Sequence, residues 1–347
     1  MNNTKDQHYM QRCLDLAQKG LGETYPNPMV GAVIVHKNQI IGEGWHKKAG
    51  LAHAEVNAIN SVSDKALLSK STLYVNLEPC SHFGKTPPCI QIIKKFKIPR
   101  IIIGSIDPNP KVAGKGITAL KNFGCKVIQG VLKKETDFLN RRFFTFHQKK
   151  RPYIILKWAQ TSDHFIAPFN SQNENGTVFW ITNNQSRQIV HQWRGQEAAI
   201  LVGVQTIIED NPKLTTRNFE GSDPLRLVLD PHSRIPKESN INKDKKPAYF
   251  FNKVSTSKNI NQKRFIKLDP FNLNTFLNYC FKNHIQSIIV EGGKKTLQNF
   301  IDANLWDESR IFTAKKKLNK GVTSPKFDSK SQIVKNFDGD ELNFYFN

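Results

Sequence analysis

Four side chains in the first third of the chain have types and spacing suited to metal chemistry. His53 and Glu55 lie two positions apart, Cys80 comes 27 positions after His53, and Cys89 comes nine positions after Cys80. One imidazole and two thiolates suit tetrahedral zinc, and three protein ligands leave the fourth position for water, as in catalytic sites. Zinc would lower the pKa of that water toward about 7, and Glu55 is the expected proton carrier. The alternative is a metal-free core that contains a histidine and two cysteines.

The expected helix starts allow these side chains to meet. Residues two apart within a helix diverge by about 200°, but the residue before a helix is not yet helical, so His53 and Glu55 can converge. Cys89 follows Pro87 and Pro88, which are tolerated at a helix N-terminus, where the helix dipole favours a charged sulfur.

This arrangement resembles the zinc-dependent nucleobase deaminases. Cys80 and Cys89 enclose eight residues instead of the two usual in cytidine and tRNA-adenosine deaminases. Together with Pro-Asn-Pro-Met-Val-Gly at 26–31 and Asp-Pro-Asn-Pro at 107–110, this long loop resembles the pyrimidine deaminase of the riboflavin pathway. The resemblance implies six contacts to a phosphoribosylated pyrimidine: Asn27, His46, His82, Lys85, Asp107 and Asn109. Each of these residues alone is also compatible with an ordinary loop or surface role.

A second motif, Gly-Lys-Gly-Ile-Thr-Ala at 114–119, fits the glycine-rich pattern of dinucleotide-binding loops. In such loops the preceding strand ends at the turn, whereas here the segment 107–110 intervenes. We therefore do not expect a nucleotide at this position.

The elements that must position these residues alternate between helix and strand patterns. The predicted strands are 31–36, 72–77, 100–105 and 125–129, and the predicted helices are 4–19, 54–61, 89–96, 116–122 and 135–147. This alternation predicts an α/β layer with a largely parallel sheet. A charged stretch at 148–152 then marks the boundary between two domains, 1–147 and 148–347.

The second domain again alternates, which predicts a second α/β layer. Its predicted strands are 153–158, 199–203, 225–230, 248–251 and 287–291, and its predicted helices are 184–194, 273–283 and 294–303. The strands after residue 302 have no clear pattern.

An ordered series of motifs in this domain resembles the reductase half of the bifunctional deaminase/reductases of the riboflavin pathway. The series comprises Trp-Ile-Thr at 180–182, Arg194, the segment 203–217, and Val-Glu-Gly-Gly at 290–293. The resemblance covers nearly the whole chain. It implies an α/β fold with an N-terminal cytidine-deaminase-like three-layer domain and a C-terminal dihydrofolate-reductase-like domain.

The implied function has two steps. The zinc-dependent domain, 1–147, would hydrolytically deaminate 2,5-diamino-6-(5-phosphoribosylamino)pyrimidin-4(3H)-one. The second domain, 148–347, would then use NADPH to reduce the ribosyl chain of 5-amino-6-(5-phosphoribosylamino)uracil to ribityl.

The same resemblance implies the residues of the reductase site. NADPH would be held by Ala159, Trp180, Thr206, Asp210 and Gly293, whose helix start favours phosphate. The substrate would be held by Lys157, Arg194, Leu214, Arg217 and Glu291, with the two guanidiniums clamping its phosphate. Singly, each of these residues could instead serve packing, a turn or a surface ion pair.

Two residues depart from the reductase pattern, one in a turn and one at a position that contacts substrate in some members. His164 stands where the family has glycine, so it is strained if that turn needs a positive φ. Val178 aligns with a serine that contacts substrate in some members.

Composition limits the alternatives. The chain has 347 residues, 38% of them apolar, and a net charge of +22, which is enough for two domains. We expect no membrane span, because wholly apolar stretches fall far short of about 18 residues, and a cytoplasmic location, because no secretory signal is evident. Five scattered cysteines predict free or metal-bound thiols. We also expect a homo-oligomer.

The main functional alternative is a nucleic-acid-editing zinc deaminase whose second domain binds nucleic acid without catalysis. Two features argue against this alternative: the long loop between the cysteines and the motif series around Thr206, Asp210 and Arg217. We expect no nucleic acid as a partner, because the sequence has no stripe of interleaved arginines and aromatic residues. An inactive scaffold is disfavoured because His53, Glu55 and both cysteines are present.

Overall fold

The chain divides into two compact units, Met1–Lys150 and Arg151–Asn347. The computed structural model describes residues 4–84, 87–110, 112–169, 179–217, 219, 221–254 and 258–347. The division falls inside the charged stretch 148–152 from which a domain boundary was predicted. Within these residues no helix is long and apolar enough to cross a membrane.

The first unit alternates helices and strands along most of its length. In chain order its elements are α1 (Thr4–Gln18), β1 (Gly31–His36), β2 (Gln39–Trp45), α2 (Ala54–Ser61), a 3₁₀ helix (Lys65–Lys70), β3 (Thr72–Leu77), α3 (Cys89–Lys95), β4 (Arg100–Ser105), α4 (Lys115–Asn122), β5 (Lys126–Gln129), α5 (Lys133–Leu139) and α6 (Arg141–Lys149).

The sheet of this unit is mixed. Its order among the described residues is β2-β1-β3-β4-β5, with β1 antiparallel to β2 and β3, and β3, β4 and β5 parallel. The prediction of a largely parallel sheet is therefore wrong for the β2–β1–β3 half. The sequence pattern missed β2, which contains Gly42 and Gly44 and joins β1 through a turn with positive φ at Lys37 and Asn38. These glycines are needed because α2 packs closely: a Cβ on Gly44 would lie 2.4 Å from the Ala58 nitrogen.

Side chains that alternate along the strands build a core on each face of this sheet. Ile34, Val75, Ile101 and Ile103 pack with α2, α3 and α4 on one face. On the other face Val33, Tyr74 and Ile102 pack with Met10 and Leu16 of α1. The unit is a three-layer α/β/α structure, as predicted.

The predicted helix 135–147 is two helices that break at Asn140. The Asn140 side chain accepts a hydrogen bond from the Met29 N–H at 2.8 Å and donates to the Met29 carbonyl at 2.9 Å. Asn76 likewise accepts from the Gly31 N–H at 2.8 Å and donates to the Met29 carbonyl at 3.1 Å. Two buried amides thus fix the start of β1 and the segment 26–31 before it.

The second unit is built on a longer sheet. Its elements are β6 (Tyr153–Thr161), β7 (Phe165–Ala167), α7 (Asn184–Gln196), β8 (Ala199–Gly203), α8 (Val204–Asp210), β9 (Leu225–Leu229), α9 (Asn240–Lys243), β10 (Ala248–Asn252), β11 (Lys258–Ile260), β12 (Lys263–Lys267), α10 (Leu273–Lys282), β13 (Ser287–Gly292), α11 (Lys294–Asp302), β14 (Glu308–Ala314), β15 (Val322–Thr323), β16 (Ile333–Phe337) and β17 (Asp340–Phe346).

The order of strands in the described part of this sheet is β11-β12-β10-β9-β8-β13-β6-β14-β17-β16. From β12 through β10, β9, β8, β13 and β6 to β14 the neighbours are parallel, whereas β11, β17 and β16 at the edges are antiparallel. The predicted central strands are present, and nearly all of their residues are buried. The sequence did not indicate the edge strands because few of their residues form a buried apolar pattern.

The turn after β6 contains His164, and its backbone shows whether a positive φ is needed there. The φ of His164 is +62°, so a non-glycine residue occupies the left-handed region, at the position where the resemblance led us to expect glycine. Asp163 closes the same turn by accepting backbone hydrogen bonds from Leu318 and Asn319. Val178, the other departure, lies outside the described residues.

Asn140→Ala should destabilise the first unit by about 2 kcal/mol, because it removes two buried hydrogen bonds and leaves the Met29 N–H without its acceptor. Calorimetry should show a lower midpoint temperature for the unfolding of the first unit. The transition of this unit is recognised because a zinc chelator shifts it. Asn122→Ala, at an exposed position in α4, is the matched control and should leave that midpoint unchanged. Equal midpoints for the two variants would contradict the role given to Asn140.

Candidate active sites

The sequence-predicted residues of the first unit gather at one edge of its sheet. β3 and β4 are parallel and end there, and β1 begins there because it is antiparallel to β3. The end of β2 is also there, since Trp45 pairs with Gly31. Asn27, His46, Cys80 and Asp107 follow or precede these strand ends, so residues far apart in sequence share one site.

The three predicted metal ligands converge at this edge. The His53 Nδ1 lies 3.2 Å from the Cys89 Sγ and 3.5 Å from the Cys80 Sγ, and all three donor atoms lie within 4.8 Å of one another. A tetrahedral zinc with bonds of about 2.0 and 2.3 Å requires N···S separations of about 3.5 Å. The donor set therefore fits zinc in both chemistry and spacing.

Local backbone conformation explains this convergence. His53 is the residue before α2 and has extended φ and ψ of −74° and 166°, whereas Glu55 lies in the first helical turn. Cys89 is the first residue of α3, directly after Pro88. Both features agree with the helix starts predicted from the sequence.

The pKa values of Glu55 and Cys80 are shifted in opposite directions, which suits them to different roles. Burial, with the nearby Cys80 sulfur, raises the pKa of Glu55 to about 7. Hydrogen bonds from Cys89 and His53 lower the pKa of Cys80 to about 4. Cys80 is thus a ready thiolate ligand, and Glu55 can both take up and release a proton near neutral pH.

His46 and Asn27 form a hydrogen-bonded pair beside the zinc ligands. The Asn27 Nδ2 lies 3.0 Å from the His46 Nε2, and the His46 Nδ1 lies 3.2 Å from the Ala52 carbonyl. Because the carbonyl can only accept, Nδ1 carries the proton and Nε2 accepts from Asn27. Both ring nitrogens of His46 are engaged, and among the residues that the structure describes none hydrogen-bonds to the Asn27 amide oxygen.

The other predicted substrate contacts lie in two loops. Asp107 is buried after β4, and burial with the nearby Glu78 and Cys80 raises its pKa to about 6. Its Oδ1 accepts from the Asn109 N–H at 2.7 Å. His82 is exposed in the loop after Cys80, and Lys85 lies outside the described residues.

Sequence reasoning missed the contact that fills the glycine motif at 114–119. Four backbone N–H groups donate to the Glu78 carboxylate, that of Asp107 after β4 and those of Gly114, Gly116 and Ile117 at the start of α4. The motif does bind an anion, but the anion is a side chain of this protein. No local sequence pattern connects Glu78 with a loop that ends 39 residues later.

The predicted reductase residues also gather at one edge of a sheet. β6, β13 and β8 are adjacent and parallel. Lys157 and Ala159 lie in the second half of β6, Glu291 is near the end of β13, and Thr206 follows β8. Crevices at the carboxyl ends of parallel strands are the usual ligand sites of α/β sheets.

A buried ion pair anchors this second site. The Arg194 Nε and Nη2 donate to the two carboxylate oxygens of Glu291 at 2.8 and 2.7 Å, and its Nη1 donates to the Thr215 carbonyl at 3.3 Å. Burial alone would raise the pKa of Glu291, but Arg194 and Lys157 outweigh it and lower the pKa to about 2. Three N–H groups of Arg194 are thus engaged within the protein.

The remaining cations face the same region. The Lys157 Nζ lies 4.0 Å from Glu291, and burial lowers the pKa of Lys157. Arg217 is exposed, and in the described chain no hydrogen bond or ion pair engages its guanidinium. Burial, and then the charges of Arg194 and Arg217, lower the pKa of His191. Such a cluster attracts phosphate.

Two helix starts bounded by glycine lie beside this cluster. Gly203 precedes α8 and Gly293 precedes α11. A Cβ on Gly203 would lie 2.6 Å from the Thr296 Oγ1, and a Cβ on Gly293 would lie 3.4 Å from the Thr206 Oγ1. Backbone N–H groups at such starts suit the phosphates of NADPH.

Three further predicted residues differ in exposure. Trp180 is half-exposed with the Arg187 guanidinium 4.5 Å from its ring centre, so its face is a stacking surface. Asp210 is exposed at the end of α8. Leu214 is buried with a φ of +54°, so its side chain belongs to the core rather than to an open surface.

Comparisons with known proteins identify both domains. Residues 3–105 match the cytidine and deoxycytidylate deaminase zinc-binding region, and residues 152–326 match the RibD C-terminal domain. The riboflavin biosynthesis protein RibD of Aquifex aeolicus is 40% identical over 324 residues, which cover 92% of this chain and 89% of that protein. RibD of Escherichia coli K12 is 34% identical, covering 90% and 89%.

A solved structure is similar over nearly the whole chain. A diaminohydroxyphosphoribosylaminopyrimidine deaminase/5-amino-6-(5-phosphoribosylamino)uracil reductase from Thermotoga maritima superposes with a TM-score of 0.89 and 35% identity, covering 98% of each chain. The fold class predicted from the sequence is confirmed: a cytidine-deaminase-like domain precedes a dihydrofolate-reductase-like domain.

Fold and sites together define a two-domain enzyme that combines a zinc-dependent deaminase with an NADPH-dependent reductase. The chain belongs to the RibD family of riboflavin biosynthesis proteins. The nucleic-acid-editing alternative is not favoured, because the second unit matches a reductase domain.

Purified protein should contain about one zinc per chain, because His53, Cys80 and Cys89 form a three-donor site. The double variant Cys80→Ser, Cys89→Ser should lose the metal, as measured by mass spectrometry of the eluted ions. Cys125→Ser is the control, since that buried thiol lies outside the donor cluster and its loss should not alter zinc content. Stoichiometric zinc in the double variant would overturn the ligand assignment.

Proposed function

We propose that the first unit deaminates 2,5-diamino-6-(5-phosphoribosylamino)pyrimidin-4(3H)-one and that the second reduces the ribosyl chain of the product to ribityl. These activities are assigned to residues 1–147 and 148–347. The observation that carries the deamination is the convergence of one imidazole nitrogen and two sulfurs next to a buried Glu55 with a pKa of about 7. A cytoplasmic location and a homo-oligomer stay predictions of the sequence.

Proton transfer in the first step falls to Glu55. His53, Cys80 and Cys89 would hold zinc, which would supply the Lewis acidity that makes a water molecule reactive at neutral pH. A Glu55 carboxylate oxygen accepts a proton from that water and delivers a proton to the exocyclic nitrogen of the pyrimidine. The ring carbon gains oxygen and the amino group leaves as ammonia, so the atoms balance.

Recognition of the pyrimidine rests on neighbouring amides and carboxyl groups. His46 holds the Asn27 amide nitrogen, so the Asn27 oxygen faces the site as an acceptor for a ring or amino N–H. Asp107 and Asn109 contribute further polar groups from the loop after β4. Exposed His82 is placed to meet the phosphoribosyl part.

In the second unit the charged residues Lys157, Arg194, Arg217 and Glu291 position the substrate. The glycine-bounded starts of α8 and α11 would hold NADPH, which would supply the hydride. Arg217, near His191 and Arg194, binds the phosphate. Lys157 is buried beside Glu291 with a lowered pKa, so its ammonium can give a proton to the ribosyl group as this group is reduced.

Glu55→Gln should keep zinc and lose deamination by about three orders of magnitude, because an amide cannot carry the proton. Reduction of the already deaminated substrate should remain near normal. Glu135→Gln, at an exposed position in α5, is the matched control. The assay follows ammonia release and NADPH oxidation separately, and near-normal ammonia release by Glu55→Gln would remove Glu55 from the mechanism.

Arg217→Ala should lower kcat/KM of the reductase by about tenfold to a hundredfold, because one charge-assisted phosphate contact contributes roughly 1.5 to 3 kcal/mol. Zinc content and deamination should not change. Arg264→Ala removes an exposed arginine from β12 and is the control. Unchanged reduction together with impaired deamination would show that the second unit has been assigned wrongly.

A further inference from the structure

Glu78 links the part of the deaminase site that contains Cys80 to the part that contains Asp107 and Asn109. It follows β3 directly and lies two residues before Cys80, and its side chain is 4% exposed. Its Oε1 accepts from the N–H groups of Gly116 at 2.9 Å and Ile117 at 3.2 Å. Its Oε2 accepts from those of Gly114 at 2.9 Å and Asp107 at 3.3 Å.

These four donors satisfy both oxygens of the buried carboxylate. Each oxygen receives two N–H groups, and three of the four donors lie at the start of α4. The carboxylate occupies the place that a phosphate would take in a nucleotide-binding loop.

The loop is shaped to reach this carboxylate. Gly114 has a φ of +75°, which glycine adopts without strain. A Cβ on Gly116 would lie 2.2 Å from the Pro79 carbonyl oxygen, so the loop also touches the peptide that precedes Cys80. The same loop begins at Asp107 and carries Asn109, which we assign to the substrate.

We propose that Glu78 is a positioning residue for deamination: it joins the Cys80 turn to Asp107 and to the start of α4, and so fixes the metal thiolate relative to the pyrimidine contacts. The inference rests on the function proposed for the first unit. Glu78 itself touches neither metal nor substrate and acts through Cys80, Asp107 and Asn109.

Glu78→Gln tests this role with little change of shape. The amide presents an NH₂ group to two backbone N–H donors, so two hydrogen bonds are lost and the loop must move away from the Cys80 turn. In the full-length zinc protein we expect KM for the diaminopyrimidine to rise, kcat to fall, and kcat/KM for deamination to decrease tenfold to a hundredfold. Reduction by the second unit should not change.

Two measurements do not depend on turnover. In cobalt-substituted protein the thiolate-to-cobalt absorption bands should shift, because the Cys80 sulfur moves. Transfer of zinc from the protein to a chromogenic chelator should accelerate by at least fivefold.

Asp6→Asn is the matched control. Asp6 is another buried carboxylate of the same unit and accepts hydrogen bonds from Tyr74 and Arg100, away from the zinc ligands. This variant should unfold at a lower temperature but keep the wild-type cobalt spectrum, zinc-transfer rate and KM. If Glu78→Gln behaves in the same way, Glu78 is only a structural residue and the proposal fails.

Gly114→Ala provides a second variant in case Glu78→Gln does not fold. Nothing lies within 4 Å of a Cβ at this position, so the substitution strains only the turn that presents its N–H to Glu78. It should change the cobalt bands, KM and zinc transfer in the same directions, and wild-type values would overturn the proposal. Absence of deamination by the wild type would instead overturn the proposed function, whereas the spectra and zinc transfer would still decide the role of Glu78.

Discussion

Polar groups buried at the functional edge of the first sheet must be hydrogen-bonded, because an unpaired one costs about 1 to 3 kcal/mol. Asn76 and Asn140 meet this requirement for the backbone of Met29 and Gly31, and Glu78 meets it for the loop before α4. Each of these side chains joins segments far apart in sequence. The same hydrogen bonds that stabilise the unit therefore place Asn27, Cys80 and Asp107 around one point.

The two units differ in what occupies the helix N-termini beside their sites. Both place helix starts rich in glycine at the carboxyl ends of parallel strands, where backbone N–H groups attract an anion. In the first unit Glu78 occupies those N–H groups, and the site is left to metal and pyrimidine. In the second unit Gly203 and Gly293 precede α8 and α11, and we propose that these helix starts receive the cofactor. A glycine-rich motif therefore indicates an anion site without indicating whose anion fills it.

Electrostatics assigns distinct tasks to groups of the same chemical type. Glu55 is buried near a thiolate and has a raised pKa, whereas Glu291 is buried between Arg194 and Lys157 and has a lowered one. The first carboxyl can exchange a proton near neutral pH, but the second stays charged and orients its cations. These opposite environments support the proposed roles, proton transfer for Glu55 and the orientation of neighbouring cations for Glu291.

The sequence by itself determined the buried strands, such as Gly31–His36 and Arg100–Ser105, and the chemistry of the zinc site, because strand patterns and ligand types are local properties. The motif series around Arg194 and Glu291 likewise indicated a reductase. Only the tertiary structure decided the antiparallel β2, the helix break at Asn140, the filling of the 114–119 motif by Glu78 and the engagement of Arg194 by Glu291. These features depend on partners that lie far apart along the chain or on the close packing of another element, and no local spacing encodes which buried polar groups will meet when the layers pack.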